Sequence, residues 1–159
     1  MTNSISLVYS VIELLRQAEI NTVLFGGWAE ELSKSITPRP HYDIDLLLFA
    51  DNFSAVDFFL EKNLQVSEIR EKRYSHKRAF LINGVMVELF LVQKEGNVCY
   101  TNFWDHLKLK WPSFKYQSVW YPKLGFVKIV DPSVIDFYRS NQLLIDSARK
   151  KYCPISYIK

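Results

Sequence analysis

The residues with the clearest chemical potential are two aspartates one position apart, at the head of an apolar run: Asp43-Ile44-Asp45-Leu46-Leu47-Leu48-Phe49. Alternate side chains of an extended strand share a face, so Asp43 and Asp45 point together, away from Ile44 and Leu46. Two adjacent carboxylates repel each other, and shared divalent cations relieve that cost, since hard oxygen ligands suit magnesium. The plain alternative is an exposed strand end with both acids solvated. A third acid, Glu88, sits within Val85-Met86-Val87-Glu88-Leu89-Phe90-Leu91-Val92. Its same-face neighbours Met86 and Phe90 argue against simple solvation, and beside the aspartates it would complete a two-metal site. Upstream, Gly26-Gly27 follows the apolar run Thr22–Phe25. Glycines between a strand and a helix leave backbone N–H groups free to receive phosphate, although a tight turn is their commoner use.

These groups depend on the elements that carry them. Leu7, Val8, Val11, Ile12, Leu14, Leu15 and Ala18 form one stripe of an amphipathic helix from Ile5 to Ala18. Thr22–Phe25 reads as a buried strand, and Trp28–Ser35 as a short helix before the Pro38 and Pro40 loop. Asp43–Phe49 is apolar on both faces beyond its first residues, which places it centrally in a sheet. Asp51–Leu64 is expected to be helical with Val56, Phe59 and Leu60 inward, and Gln65–Arg70 extended. Tyr74–Ile82 and Val85–Val92 flank Asn83-Gly84, a two-residue hairpin signal because both turn residues need positive φ. Val98–Phe103 and Phe126–Val130 are further strand candidates, Trp104–Tyr121 carries no clear pattern, and Pro132 to about Lys150 reads as a helix with proline in its first turn. The expectation is a mixed α/β (α+β) domain with a largely consecutive sheet.

Taken together, these motifs resemble the nucleotidyltransferase superfamily with the DNA polymerase β-type palm. They are most similar to its small aminoglycoside and lincosamide nucleotidyltransferases. The likeness rests on Gly26-Gly27-Trp28, on Arg39-Pro40-His41-Tyr42-Asp43-Ile44-Asp45, with fifteen residues between Gly27 and Asp43, and on Gly84-Val85-Met86-Val87-Glu88. It covers about residues 5–92. Two departures are Glu88 in place of the usual Asp, and Leu89-Phe90 where many relatives carry a polar residue. The resemblance implies a single domain over 1–159, with the catalytic core at about 5–92 and a C-terminal strand and helical part at about 100–159. It further implies Mg²⁺-dependent transfer of an NMP, AMP in the first instance, from ATP or another NTP to a hydroxyl of a small molecule such as a lincosamide or aminoglycoside. Asp43, Asp45 and Glu88 would hold two Mg²⁺ ions, with Glu88 accepting the hydroxyl proton. Gly26, Gly27, Trp28, Lys34, Arg39, His41 and Arg78 would face the nucleotide. For His41 the alternative is bracing the loop, and for Trp28 it is core packing.

Composition sets the outer bounds. The 159 residues are 48% apolar and 23% charged, with no apolar run long enough to span a membrane and no secretory leader pattern, so a soluble cytoplasmic protein is expected. Cys99 and Cys153 lie too far apart in sequence for a zinc motif and read as reduced thiols. The net charge of +3 is uneven: residues 1–103 carry −3 and residues 104–159 carry +6. A basic C-terminal third argues for a less charged or anionic acceptor, a lincosamide-like compound ahead of a polycationic aminoglycoside. Trp104, Trp111, Trp120 and Tyr121 read as core, with a homodimer interface as the second alternative and an acceptor pocket as the third. Nucleic acid and membrane partners are not expected. Two rival functions stay open: a protein-modifying, antitoxin-like minimal nucleotidyltransferase, and a non-catalytic RNA- or protein-binding module on the same fold.

Overall fold

A computed structural model describes residues 3–34 and 36–152. Cys153 lies outside the described residues. Among these residues, five helices and nine strands run in the order α1 (Ile5–Gln17), β1 (Thr22–Phe25), α2 (Gly26–Leu32), β2 (Asp43–Phe49), α3 (Ser54–Lys62), β3 (Ser67–Glu68), β4 (Lys77–Ile82), β5 (Val85–Glu95), β6 (Val98–Phe103), β7 (Leu107–Lys110), β8 (Tyr116–Tyr121), β9 (Gly125–Val130), α4 (Pro132–Ser140) and α5 (Gln142–Tyr152). A 3₁₀ turn at Arg70–Lys72 precedes β4. None of the described helices is long and apolar enough to cross a membrane.

The sheet is mixed, in the order β3-β4-β5-β2-β1-β9-β8, with the β6–β7 hairpin branching from the far end of β5. It is less consecutive than expected. The hairpins β3–β4–β5 and β8–β9 are sequential, but β2 pairs parallel with β5, and β1 parallel with β9. The reason lies in β2 itself. A strand apolar on both faces is stable only with a paired strand on each edge and cover above and below. The β4–β5 turn is as expected: Asn83 and Gly84 take φ of 50° and 75°.

Register sorts the side chains into two layers. Ile44, Leu46, Val87, Leu89 and Phe80 lie on one face and are fully buried. There α3 packs through Phe59, whose ring meets Phe80 edge-on at 6.0 Å. Helix α1 covers the same layer further along, where Tyr9 meets Tyr121 and donates its hydroxyl to the Val119 carbonyl at 3.0 Å. The opposite face carries Phe25, Asp43, Asp45, Glu88 and Phe90, with α4, α5 and the β6–β7 hairpin above it. On that side Phe25 packs against Phe90, Trp111 and Tyr138.

Several element ends differ from the sequence-based expectation, each for a local reason. Helix α2 starts at Gly26 rather than Trp28, so the glycines form its first turn instead of preceding it. Helix α3 starts at Ser54, after a turn in which the Asn52 side chain accepts the Ser54 N–H at 2.9 Å. Strand β4 starts at Lys77, since Tyr74 and Lys77 close a tight backbone loop on each other. The C-terminal helix is two helices. Asn141 caps α4, and its side-chain amide donates to the Phe137 carbonyl at 2.9 Å, competing with continued helix. The unpatterned stretch 104–121 supplies β7 and β8. Its aromatics divide: Trp104 and Trp111 are buried, whereas Trp120 and Tyr121 are exposed on the β8–β9 hairpin.

Arg78 belongs to the apolar layer. Its guanidinium grips Asp57 of α3 (Nε–Oδ1 2.7 Å, Nη2–Oδ2 3.3 Å), caps the Tyr74 and Lys77 carbonyls and lies over the Phe53 ring. This is a bidentate pair that ties α3 to β4. Arg78→Met is expected to lower stability by about 1–3 kcal/mol in urea titration, by removing the bidentate partner of Asp57, which keeps Arg73 at 3.0 Å. Asp57→Leu should cost less in that background than in the wild type, and an additive double mutant would exclude the coupling.

Candidate functional site

The parallel β2–β5 pairing sets the three acids together. Asp45 is directly opposite Glu88, and Asp43 lies two residues earlier on the same face of β2. They form one wall of a cavity of about 540 Å³. Lys72, Lys77 and Glu71 flank the acids. Tyr74, His76, Phe90, Phe103 and Trp104 form an aromatic wall. Tyr138 of α4 and Gln142, Asp146 and Arg149 of α5 close the opposite side.

Charge in this cluster is unevenly compensated. Both Glu88 oxygens are occupied: Lys72 Nζ lies 2.9 Å from Oε1 and Lys77 Nζ 2.6 Å from Oε2. Burial alone would push the Glu88 carboxyl up, but the two ammoniums hold it below its ordinary value. The aspartates lack such partners. Burial, then Asp43 and Glu88, push Asp45 up to about 8, and burial, then Glu88, raises Asp43. The same field reaches Tyr138, whose hydroxyl is pushed up to about 12 by burial, Asp45 and Glu88.

The donor set therefore suits a hard divalent cation. Three carboxylates share one face, and one of them holds a proton near neutral pH that a cation would replace. Among the described residues no three His, Cys, Asp or Glu side chains already converge at ligand distance. Glu88 is turned to its lysines.

The glycines have a steric role at the site. A Cβ on Gly26, where φ is +67°, would stand 2.3 Å from Asp45 Oδ2. One on Gly27 would stand 2.8 Å from His41 Nδ1 and 3.4 Å from an Arg39 nitrogen. The missing side chains thus make room for the Asp45 carboxylate and the His41 ring. His41 braces the loop before β2: Nε2 lies 3.0 Å from Glu31 Oε1 and the ring packs 4.3 Å from Trp28. Trp28 is a core residue. Arg39 leans over Gly27, and its backbone N–H donates to Glu31. Lys34 is exposed beyond the far end of α2, roughly 12 Å along the helix from Gly26. Of the seven residues assigned to the nucleotide by resemblance, Lys34 and Arg78 are not brought to the acids. Lys34 sits at the wrong helix end, and Arg78 is on the wrong sheet face.

Sequence reasoning missed Lys72, Lys77, His76, Tyr138, Asp146 and Arg149. One signal was available for Lys77. In the Asn83-Gly84 hairpin Ala79 is level with Glu88, and Lys77, two residues earlier, falls on the same face. The charge argument for the acceptor also changes. Of the segment carrying +6, only Asp146 and Arg149 reach the cavity among its described charged residues, and they pair with each other at 3.9 Å.

These titrations set the pH dependence of stability in the metal-free protein. Asp45 binds a proton more tightly when folded than unfolded, so its contribution falls as pH rises from about 4 to 8. His76, which burial and Lys77 push down to about 3, works in reverse: its contribution rises with pH up to about 6.5. The two offset each other between about 4 and 6.5, and above that only Asp45 remains. Urea titrations in EDTA are expected to show stability declining from pH 6.5 to 8, and Asp45→Asn is expected to remove the decline. A wild-type curve that rises across this interval would exclude the protonated Asp45.

No family model and no curated protein sequence matches the chain. Solved structures do. The lincomycin-bound lincosamide antibiotic adenylyltransferase LnuA superimposes with a TM-score of 0.70 at 11% identity, over 96% of this chain and 100% of that one. ANT(2'')-Ia in complex with adenylyl-2''-tobramycin gives 0.58 at 15% identity, over 86% of this chain and 75% of that one. The chain has a nucleotidyltransferase-type fold, similar to that of small antibiotic-modifying nucleotidyltransferases.

Proposed function

We propose that this protein is a nucleotidyltransferase that moves an NMP, AMP in the first instance, from an NTP to a hydroxyl of a small acceptor, a lincosamide-like compound or an aminoglycoside. The observation that supports this most directly is the in-register acid cluster on β2 and β5. It faces two lysines and a cavity large enough for a small molecule. Asp43, Asp45 and Glu88 would hold Mg²⁺, with two ions as the full complement. When bound, the metal supplies Lewis-acid polarisation of the phosphoryl oxygens.

The chain's own groups would do the rest. Lys72 and Lys77 bind the triphosphate. Their ammoniums already stand at the cavity, and a polyphosphate is a stronger anionic partner than one carboxylate. Their departure frees both oxygens of Glu88. The acceptor hydroxyl oxygen then bonds to the α-phosphorus, the bond from that phosphorus to the β-bridging oxygen breaks, and pyrophosphate leaves. The hydroxyl proton goes to Glu88, which the two ammoniums hold ionised in the free protein. Asp45 is fixed for its part by the Gly26 turn beneath it.

Incubation with labelled NTPs, Mg²⁺, and lincomycin or tobramycin is expected to yield a nucleotidylated product and pyrophosphate. Asp45→Asn should slow transfer by at least about 10²-fold while the protein remains folded. No transfer with any NTP would exclude the enzyme. Lys77→Met is expected to weaken MgATP binding about tenfold by calorimetry, in keeping with the ~1.5–3 kcal/mol of a charge-assisted hydrogen bond. Lys34→Met and Arg78→Met should leave that affinity within about twofold. Equal loss in all three variants would return the phosphates to a diffuse basic surface.

A further inference from the structure

Behind the acids, the cavity wall holds a buried histidine that the reaction above does not use. His76 is 2% exposed, with aromatic rings packed against it. It stacks parallel to Tyr74 with centroids 5.8 Å apart, meets Trp104 edge-on at 4.5 Å and touches Phe103 at 4.9 Å. Its Nδ1 accepts the backbone N–H of Trp104 at 3.2 Å. A nitrogen that accepts from an N–H carries no proton, so the proton of the neutral ring is on Nε2. No described residue accepts from Nε2, and the ring lines the cavity.

The group presenting that N–H is itself costly to hold. Trp104 and Asp105 turn from β6 into β7 with φ of 52° and 58°, a conformation that disfavours bulky side chains by about 1–2 kcal/mol per residue. The Trp104 indole N–H is buried with no partner among the described residues. An orphaned donor of this kind costs about 1–3 kcal/mol. A turn chosen for stability alone would place glycine or asparagine at these positions. Retained strain beside a cavity points to a task for the groups it orients.

We infer that the Nε2–H of His76 is a binding group for the acceptor, a fixed donor in an aromatic wall that takes an uncharged oxygen (hydroxyl, ether or carbonyl) of a ring-bearing molecule and disfavours an ammonium at the same point. The aromatic neighbours Tyr74 and Trp104 supply a stacking surface for the ring. The discrimination is donor against donor: an ammonium facing an N–H that cannot become an acceptor leaves both unpaired. His76 keeps this role across the working range, because burial holds it neutral. The inference rests on the acceptor half of the proposed reaction and is silent on its nucleotide half.

The full chain with ¹⁵N-labelled histidine carries the test, with MgATP, lincomycin and tobramycin as the probes. In the free protein the His76 ring is expected as the Nε2–H tautomer. Lincomycin is expected to move its Nε2 signal, and MgATP is not. His76→Phe keeps a ring but removes the donor, and should weaken lincomycin binding at least tenfold while MgATP affinity stays within about twofold. His76→Gln, whose amide N–H reaches the place of Nε2, should restore most of it. An Nδ1–H tautomer overturns the inference. So does an Nε2 signal unmoved by either acceptor, or a His76→Phe variant that binds them as wild type does. Failure of MgATP to bind would instead sink the nucleotidyl-transfer reading, and an Nε2 signal that still moved with lincomycin would leave the subsite standing.

Discussion

Most of the site follows from one constraint: three carboxylates must share one face of two adjacent parallel strands inside a folded core. Charges so placed repel each other and lose hydration, and each is relieved differently. Glu88 has two ammonium partners. Asp45 takes up a proton, and the space its carboxylate fills exists because Gly26 has no side chain. Asp43 stays closer to solvent and is anchored through its backbone, whose carbonyl accepts from the Asn3 amide at 3.0 Å. Only a parallel β2–β5 pair with Asp45 opposite Glu88 produces this arrangement. A one-residue slip would move Glu88 to the apolar layer, where neither lysine could reach it.

The same constraint explains the loop before β2. Asp43 is the first residue of its strand, so its direction depends on how the chain enters. His41 fills the space above Gly27, pairs with Glu31 and packs on Trp28, which pins the entry to α2. Gly26, Gly27, Trp28 and His41 are thus a scaffold for the aspartates. They brace the wall that carries the acids, a role the motif does not suggest when it is read only as a row of ligand contacts.

How far the sequence reached follows from the range of each signal. Strands β1, β2 and β6 were legible to the residue because short apolar runs bounded by Gly, Pro, Asn or Asp leave little freedom. The β4–β5 hairpin was legible because Asn83-Gly84 fixes its register. The three acids were legible as a group, since alternation sets a residue's face within a strand. Legibility ended where side chains from distant elements meet. That Arg78 faces Asp57 follows from which face of β4 is covered by α3, a tertiary fact. The two positive-φ residues after Phe103 are held against local propensity by a contact across the fold, the Trp104 N–H to His76, and the break at Asn141 turns on one side-chain bond to Phe137 that a helical pattern does not announce. His76 reads in isolation as a polar residue in an aromatic stretch.

The far wall of the cavity carries the last consequence. Net charge over a segment says little about a site when the segment is mostly surface. Lys108 and Lys128 lie over the exposed faces of Tyr100 and Tyr116, and Lys108 also pairs with Glu95, away from the cavity. What reaches the cavity from α5 is a balanced pair, Asp146 and Arg149, with Gln142 fixing the carboxylate at 3.0 Å. The described lining holds five acids against three bases, and burial pushes Asp45 up to about 8, which lessens its charge near neutral pH in the metal-free protein. Such a wall neither demands nor excludes a cationic acceptor. Discrimination then falls to short-range features: the aromatic surfaces of Tyr74, Trp104 and Tyr138, and hydrogen-bond donors with fixed protonation. Long-range field guides approach, but contact geometry selects what is held, and here the contacts are made by rings and N–H groups that net charge cannot register.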